Sequence, residues 1–230
     1  MDRRTFVTKG LAATAAFVSM DTRVAKSEEN SKKVRIVGVS CSPRAGKTTA
    51  TAVNAALAAA KQVDSRITVE LLDLGGMNIS GWLGSAKLDK PELPEDDVDK
   101  FVLPKLKDPV PDGLIIGSPS YFRTMSALCK AFIDRLAVLR SPKLLLADKP
   151  IGVLAVGAYR NGGQELVIEQ IQAAMLCHEV MIVGGKPGAH QGATLWNAYN
   201  DDITKDEFGM DSARKLGIRV AEAALRLAQK

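Results

Sequence analysis

The sequence predicts an α/β fold built on a doubly wound parallel sheet, and two observations carry this prediction. Short runs rich in Val and Ile, of strand length, alternate along the chain with alanine-rich or amphipathic stretches of helix length. The first of these runs, VRIVGV (34–39), is short and rich in β-branched residues, which fits a buried parallel strand. Strands that alternate with helices in this way predict one sheet between two layers of helices.

Five runs are predicted as strands and five stretches as helices, and the two kinds alternate. The predicted strands are residues 34–39, 67–74, 113–118, 150–158 and 180–185. The predicted helices are residues 48–63, 97–107, 125–139, 164–177 and 206–229. A polar turn directly follows the first strand, and five strands with such a turn fit the flavodoxin-like strand order 2-1-3-4-5.

Residues 1–32 are predicted to be an export signal with a polar linker, and residues 33–230 to be one folded domain. Arg3 and Arg4 precede an uncharged run over residues 10–20, which is too short to span about 30 Å of hydrocarbon as a helix. A basic start before a short apolar run is typical of an export signal. The paired arginines resemble the twin-arginine signal of folded bacterial cargo, which predicts a periplasmic location. A basic, frayed terminus and an uncleaved anchor remain alternatives, because no clear cleavage site follows the run.

The charge of the predicted domain argues against nucleic acid as a partner. The whole chain carries a formal net charge of +5. Residues 1–26 hold five basic and two acidic side chains, so the remaining residues carry only +2. A nearly neutral domain offers little attraction to DNA or to an anionic membrane. Aromatic residues make up only 5% of the chain, which also disfavours a surface on which bases stack.

Polar loops follow the first, third and fourth predicted strands. Their sequences are SCSPRAGKTT (40–49), SPSYFRTMS (118–126) and AYRNGGQE (158–165). Ligands of open parallel sheets bind beyond the carboxyl ends of the strands. We therefore expect these three loops to meet at one edge of the sheet and to form a binding site there.

The first of these loops is predicted to hold a single terminal phosphate. A triphosphate loop would need a glycine five residues before Gly46, where Cys41 stands. The loop offers hydroxyl groups, a guanidinium and the free amides of a helix start, which suit a phosphate monoester such as that of FMN. The side chains concerned are those of Ser42, Arg44, Thr48 and Thr49. Lys47 either assists the anion or faces solvent, and a purely structural turn capped by Thr48 is the alternative.

Four segments together resemble the NADPH-dependent FMN reductase family. They are SPRAGKTT (42–49), IIGSPSYFRTMSALCKAFIDRL (115–136), GAYRNGGQE (157–165) and DEFGMDSARKLGIRVAE (206–222). The resemblance runs from about residue 34 to residue 228. It implies a flavodoxin-like fold, bound FMN and an FMN-dependent oxidoreductase activity.

The resemblance also implies a set of FMN-binding residues. The phosphate loop would consist of Ser42, Arg44, Lys47, Thr48 and Thr49. The isoalloxazine ring would be bordered by Pro119, Ser120, Tyr121 and Phe122. The other side of the ring would be closed by Arg160, Asn161, Gly162 and Gly163. No side chain is expected to act as an obligatory acid or nucleophile, because the chemistry belongs to the flavin.

The electron donor and acceptor stay open. The resemblance implies NAD(P)H as a donor and a small acceptor such as a quinone or free flavin. Nicotinamide coenzymes are scarce outside the inner membrane. The alternative is therefore a periplasmic flavodoxin-like electron-transfer protein that a protein or a quinol reduces. The resemblance further implies a homodimer or homotetramer.

The chain departs from the iron–sulfur flavoproteins, a related branch that carries a compact cysteine cluster between the second and third strands. Its three cysteines are Cys41, Cys129 and Cys177, so residues 75–112 hold none. We expect neither an iron–sulfur centre nor another metal site. Cys41, beside the phosphate turn, and His190, after the fifth strand, stay open as further site residues.

Overall fold

A parallel sheet between two layers of helices forms the part of the chain that the computed structural model describes, residues 32–81 and 96–228. The proposed signal and linker, except Lys32, lie outside the described residues. Segment 82–95 does so as well. The predicted α/β class and flavodoxin-like order are confirmed.

The described residues form seven strands and five α-helices. The strands are β1 (Val34–Ser40), β2 (Ile67–Asp73), β3 (Gly113–Tyr121), β4 (Thr124–Met125), β5 (Pro150–Gly157), β6 (Met181–Ile182) and β7 (Ala193–Trp196). The helices are α1 (Thr48–Lys61), α2 (Leu103–Lys107), α3 (Ala127–Arg135), α4 (Gln164–Leu176) and α5 (Glu207–Ala228). A π-helical turn (Val98–Val102) leads into α2, a 3₁₀ turn (Leu136–Leu139) continues α3, and another (Ile203–Lys205) precedes α5.

The sheet runs β2-β1-β3-β5-β6 with its strands parallel. This is the predicted order 2-1-3-4-5, since β4 is a two-residue strand that pairs antiparallel with the end of β3. The fifth position differs from the prediction. The run 180–185 contributes only the two residues of β6, which pair with Pro150 and Ile151, while β7 pairs with the later half of β5.

The short fifth strand has a local cause. Residues 184–188 read GGKPG, and glycine and proline both disfavour the interior of a strand. At Gly184 an added Cβ would lie 1.6 Å from the His190 carbonyl oxygen, so the chain turns back on itself there. The chain pairs with β5 again only at β7. Because this pairing is parallel, the segment after Trp196 leaves the sheet at the same end as the loop after β5.

The sheet separates two hydrophobic cores, and successive side chains of β1 point alternately into one core and the other. Val34 and Ile36 point into a core formed with α1 and α5. Val37 and Val39 point into the opposite core, which α2, α3 and α4 cover. The period of two along a strand explains why a fully apolar run is needed to fill both cores.

A buried ion pair between Asp96 and Arg135 joins the segment before α2 to α3. The Asp96 carboxylate accepts hydrogen bonds from the backbone amides of Ser80 (2.8 Å) and Val98 (2.9 Å), and from the Arg135 guanidinium of α3. Both charged side chains are almost fully buried. A buried charge is tolerated when its partner and its hydrogen bonds are all in place, as they are here for Asp96.

Among the described helices, none has both the length and the apolar character needed to cross a membrane.

Candidate functional site

The register of the parallel strands brings three polar loops to one edge of the sheet. Ser40 at the end of β1 lies opposite Gly117 of β3, and Gly117 lies opposite Leu154 of β5. The loops that leave β1, β3 and β5 therefore start at the same end of the sheet, with β3 and β5 extending three or four residues further than β1. We call this edge, where residues 41–47, 122–126 and 158–163 leave the sheet, the carboxyl edge.

Ser126 ties the loop after β1 to the loop after β3. Its hydroxyl donates to the Cys41 carbonyl (2.6 Å) and accepts from the Cys129 amide (3.0 Å), which caps α3. The Ser126 amide in turn donates to the Ser118 hydroxyl (3.0 Å). All of these groups are buried, so one serine side chain fixes the relative position of both loops.

A second set of contacts ties the loop after β3 to the loop after β5. The Ser120 hydroxyl donates to the Gly162 carbonyl at 2.5 Å. Gly163 has φ +87° and lies against Arg123, so that an added Cβ would come within 2.8 Å of the Arg123 Cα. Only glycine meets both the positive φ and the close approach. The structure thus brings all three predicted loops together.

The start of α1 presents free hydrogen-bond donors at this edge. Lys47 is the N-cap residue, and within the described chain its side chain makes no capping hydrogen bond. Ser42, Thr48 and Thr49 are buried beside this start, and the first turn of α1 has no acidic residue. The first amides of a helix carry partial positive charge, which favours an anion.

Asp73, at the end of β2, holds the turn before α1 and was not predicted from the sequence. Its carboxylate accepts from the Gly46 amide (2.6 Å) and more weakly from the Gly75 amide (3.3 Å). Gly46 itself has φ +66°, which favours glycine. An acidic residue that ends a strand beside a glycine-containing turn is the sequence signal that would have indicated this contact.

Two predicted arginines have protein partners that the sequence did not indicate. The Arg44 guanidinium donates to Asp201 at 2.7 Å, and this hydrogen bond raises the pKa of Arg44. The Arg160 guanidinium lies 4.1 Å from the centre of the Trp196 ring, within the range of a cation–π contact. Trp196 is the last residue of β7, and Asp201 belongs to the segment that follows it.

That segment, residues 197–201, lies beside the three loops of the carboxyl edge, and we call it the exit loop. The Asn197 amide donates to the Gly157 carbonyl (2.8 Å), and the Asn197 side chain donates to Asp201 (2.8 Å). Trp196, just before the loop, donates its indole N–H to the Ala158 carbonyl (3.0 Å) and packs edge-on against Tyr199. The pattern WNAYNDD after an apolar run was the missed signal of a polar loop following a strand.

The four residues predicted to border the isoalloxazine ring differ in their exposure to solvent. Pro119 and Ser120 lie at the end of β3, Tyr121 is partly exposed, and Phe122 is fully exposed. Phe122 and Arg123 both have positive φ, at +51° and +66°. Left-handed backbone is uncommon for such residues and is found where surrounding contacts hold it in place. Asn161 is exposed and Gly162 is half-buried, beside these residues.

The cysteine and histidine residues left open by the sequence lie in contrasting environments. Cys41 and Cys129 are fully buried, and burial raises the pKa of the Cys41 thiol well above its usual value. His190 is exposed on the segment between β6 and β7. Among the described residues, no group of three or more His, Cys, Asp or Glu side chains could hold a metal ion.

A family model described as NADPH-dependent FMN reductase matches residues 34–194. The chain belongs to the NADPH-dependent FMN reductase family. It is an FMN-dependent oxidoreductase with a flavodoxin-like fold. The family match includes the first three predicted loops and ends within β7, before the exit loop.

Individual relatives support the same assignment. An iron–sulfur flavoprotein of Methanocaldococcus jannaschii is 38% identical over 192 residues, which cover 82% of this chain and 96% of that protein. An NAD(P)H dehydrogenase (quinone) of Archaeoglobus fulgidus is 27% identical over 173 residues, or 74% of this chain and 82% of the relative. A solved flavodoxin, WrbA-like protein from Agrobacterium tumefaciens superposes with a TM-score of 0.56 at 16% identity, covering 85% of this chain and 99% of its own. This last likeness shows the fold alone.

The burial of the thiols predicts how they react. Cys177 is exposed and we expect it to react rapidly with an aromatic disulfide reagent at neutral pH. Cys41 should react only after unfolding, because its raised pKa keeps the thiol protonated and its burial excludes the reagent. Counting thiols with and without denaturant gives one fast group in the native protein and three in all. A fast thiol that persists in a Cys177→Ser variant would contradict this account of Cys41 and Cys129.

Proposed function

We propose that the loops of the carboxyl edge hold FMN, with its phosphate at the start of α1 and its ring between the loops after β3 and β5. The observation that carries this proposal is the joining of the three loops by Ser126, Ser120 and Gly163. Bound FMN supplies the redox chemistry, through its N5 and the ring that stores electrons. The part of the protein is to bind the phosphate, to orient the ring and to tune its surroundings.

The groups at the start of α1 fit a phosphate monoester. The helix is 14 residues long, and Lys47 leaves its first amides without a side-chain cap. Three buried hydroxyl residues, Ser42, Thr48 and Thr49, surround this point, and Arg44 and Lys47 supply positive charge. Amides, hydroxyls and a guanidinium together match the acceptor oxygens of a dianion.

Gly162 and Gly163, which are predicted to help close one side of the ring, are also required by contacts within the protein. Gly162 donates its amide to Tyr159 (3.1 Å), and an added Cβ there would lie 2.9 Å from the Tyr159 carbonyl oxygen. Gly163 is required by its φ and by Arg123. These positions therefore shape the turn 159–163 first, and the shaped turn is what would close one side of the ring, together with Arg160 and Asn161.

We propose NAD(P)H as the electron donor and a small molecule such as a quinone or free flavin as the acceptor. The name of the family and the quinone-reducing relative of A. fulgidus support this choice. The second candidate is an electron-transfer protein that receives electrons from a protein or a quinol. The predicted twin-arginine signal favours that alternative, because a periplasmic protein would meet little NAD(P)H.

Removing Arg44 tests the phosphate assignment. We expect Arg44→Ala to weaken FMN binding about ten- to a hundredfold, since a hydrogen bond to a charged group contributes roughly 1.5–3 kcal/mol. Riboflavin, which lacks the phosphate, should bind both proteins equally. Titration of the protein with each flavin, followed by flavin fluorescence, measures both affinities.

The matched control is Lys105→Ala on α2, which removes one positive charge and an ion pair to Glu70 of β2. It should leave both affinities within about twofold, because an exposed ion pair contributes little. Equal loss of FMN and riboflavin affinity in Arg44→Ala would count against a phosphate contact.

Anaerobic mixing of the holoprotein with a panel of donors separates the two candidate functions. NADPH or NADH should bleach the oxidised flavin absorbance rapidly, and a quinone added afterwards should restore it. A menaquinol analogue serves as the comparison donor. Bleaching by the quinol and none by either nicotinamide nucleotide would favour the electron-transfer alternative.

We also propose a periplasmic location, on the basis of Arg3 and Arg4 before the uncharged run. Fractionation of cells that make the full chain should find the wild-type protein in the periplasm. Exchange of both arginines for lysine should retain it in the cytoplasm, whereas Arg23→Lys should have no effect. Export of the double variant at the wild-type level would refute the twin-arginine assignment.

A further inference from the structure

We propose that Asp201 limits the affinity of the site for the FMN phosphate, because its carboxylate binds Arg44 until a phosphate dianion displaces it. This inference rests on the proposed position of FMN. It concerns Asp201 of the exit loop, which lies beyond residue 194, where the match to the family model ends.

The contact joins two segments that are 157 residues apart in the chain. The Arg44 guanidinium donates to Asp201 at 2.7 Å. Both side chains are partly exposed, at 46% for Arg44 and 37% for Asp201. Solvent therefore reaches the pair, and an incoming anion can compete for the guanidinium without opening the core.

Asp201 is held in this position by Asn197, which is itself bonded to the end of β5. Its second carboxylate oxygen accepts from the Asn197 side chain (2.8 Å), and the Asn197 amide is anchored on Gly157 at the end of β5. Asn200 and Asp201 both adopt left-handed backbone, with φ of +51° and +66°. Two consecutive non-glycine residues in this region are held only by specific contacts.

The charges around Asp201 are those on which a phosphate would depend. Hydrogen bonds from Arg44 and Asn197 lower the pKa of Asp201, and the nearby charge of Lys47 acts in the same direction. The carboxylate is thus ionised at neutral pH and neutralises part of the positive charge beside the start of α1. A dianion at that point must both take over Arg44 and overcome repulsion from Asp201, whereas an uncharged riboflavin chain meets neither cost.

The test is the affinity of the full-length chain for FMN and for riboflavin in two paired variants. Asp201→Asn keeps the size of the side chain and suits a positive φ, but removes the charge. We expect it to bind FMN about three- to tenfold more tightly, as an exposed ion pair and one like-charge contact would account for. Riboflavin affinity should change by less than about twofold. Asp201→Gly, which also suits the backbone, should show the same pattern if the asparagine variant folds poorly.

Asp202→Asn is the control, because it removes the same charge one residue further on. The Asp202 carboxylate accepts from the Thr204 amide (3.2 Å) and pairs with Lys205 rather than Arg44. Its affinity for FMN should stay within about twofold of wild type, since the charge removed lies in an exposed local pair. Equal tightening by both variants would reduce the effect to net charge and would overturn the proposal.

Weaker or unchanged FMN binding in Asp201→Asn would also overturn it, since Asp201 would then orient Arg44 or have no effect on the site. Equal tightening of FMN and riboflavin would show a steric effect of the exit loop instead of competition between Asp201 and the phosphate for Arg44. Failure of the wild-type protein to bind either flavin would refute the proposed function itself, which this comparison therefore keeps distinct from the role of Asp201.

Discussion

Parallel pairing of β1, β3 and β5 is the constraint on which the rest of the site depends. Because Ser40, Gly117 and Leu154 lie side by side in parallel strands, the chain leaves all three strands at the same end of the sheet. Three short polar loops then meet without any long excursion of the backbone. The contacts of Ser126, Ser120 and Gly163 convert this proximity into a fixed geometry. A rigid frame of this kind is what a protein needs to orient a flat cofactor.

The electrostatic balance of the carboxyl edge depends on charges from several segments. The start of α1, Arg44 and Lys47 favour an anion, while Asp73 and Asp201 oppose it. Asp73 is engaged by backbone amides of the turns beside α1, so its charge mainly stabilises the protein. Asp201 instead engages a side chain that a ligand would also use. The two carboxylates therefore contribute in different ways, although both lie near the same turn.

The fold was predictable because its signals are local. Apolar runs of strand length and the periodic stretches between them identified β1, β2, β3, β5, α1, α4 and α5 to within a few residues. The predicted helices 97–107 and 125–139 are each divided between a shorter α-helix and an adjoining π-helical or 3₁₀ turn. The split of the fifth strand was missed, because Val180 to Val183 reads as a strand until the following glycines and Pro187 are weighed. Pairing of β7 with β5 depends on where that interruption ends, which no local pattern states.

The site was predictable only in part, because some of its contacts join segments that are far apart in the chain. The three loops follow strands and contain glycine, hydroxyl and amide residues, so the sequence indicates them directly. Contacts such as Arg44 with Asp201 and Arg160 with Trp196 join segments far apart in the chain. An exposed arginine has no sequence signature that names its partner. The exit loop was missed because β7, the short strand that it follows, was not predicted from the sequence.

Amide hydrogen exchange of the full-length protein, with and without FMN, tests most directly whether the carboxyl edge is the cofactor site. The account predicts slower exchange on FMN binding in residues 42–49, 118–126 and 158–163 together. Residues 108–112 and 147–149, which enter β3 and β5 at the opposite edge, should exchange at unchanged rates. Protection at that opposite edge, or protection that leaves one of the three loops unaffected, would contradict it.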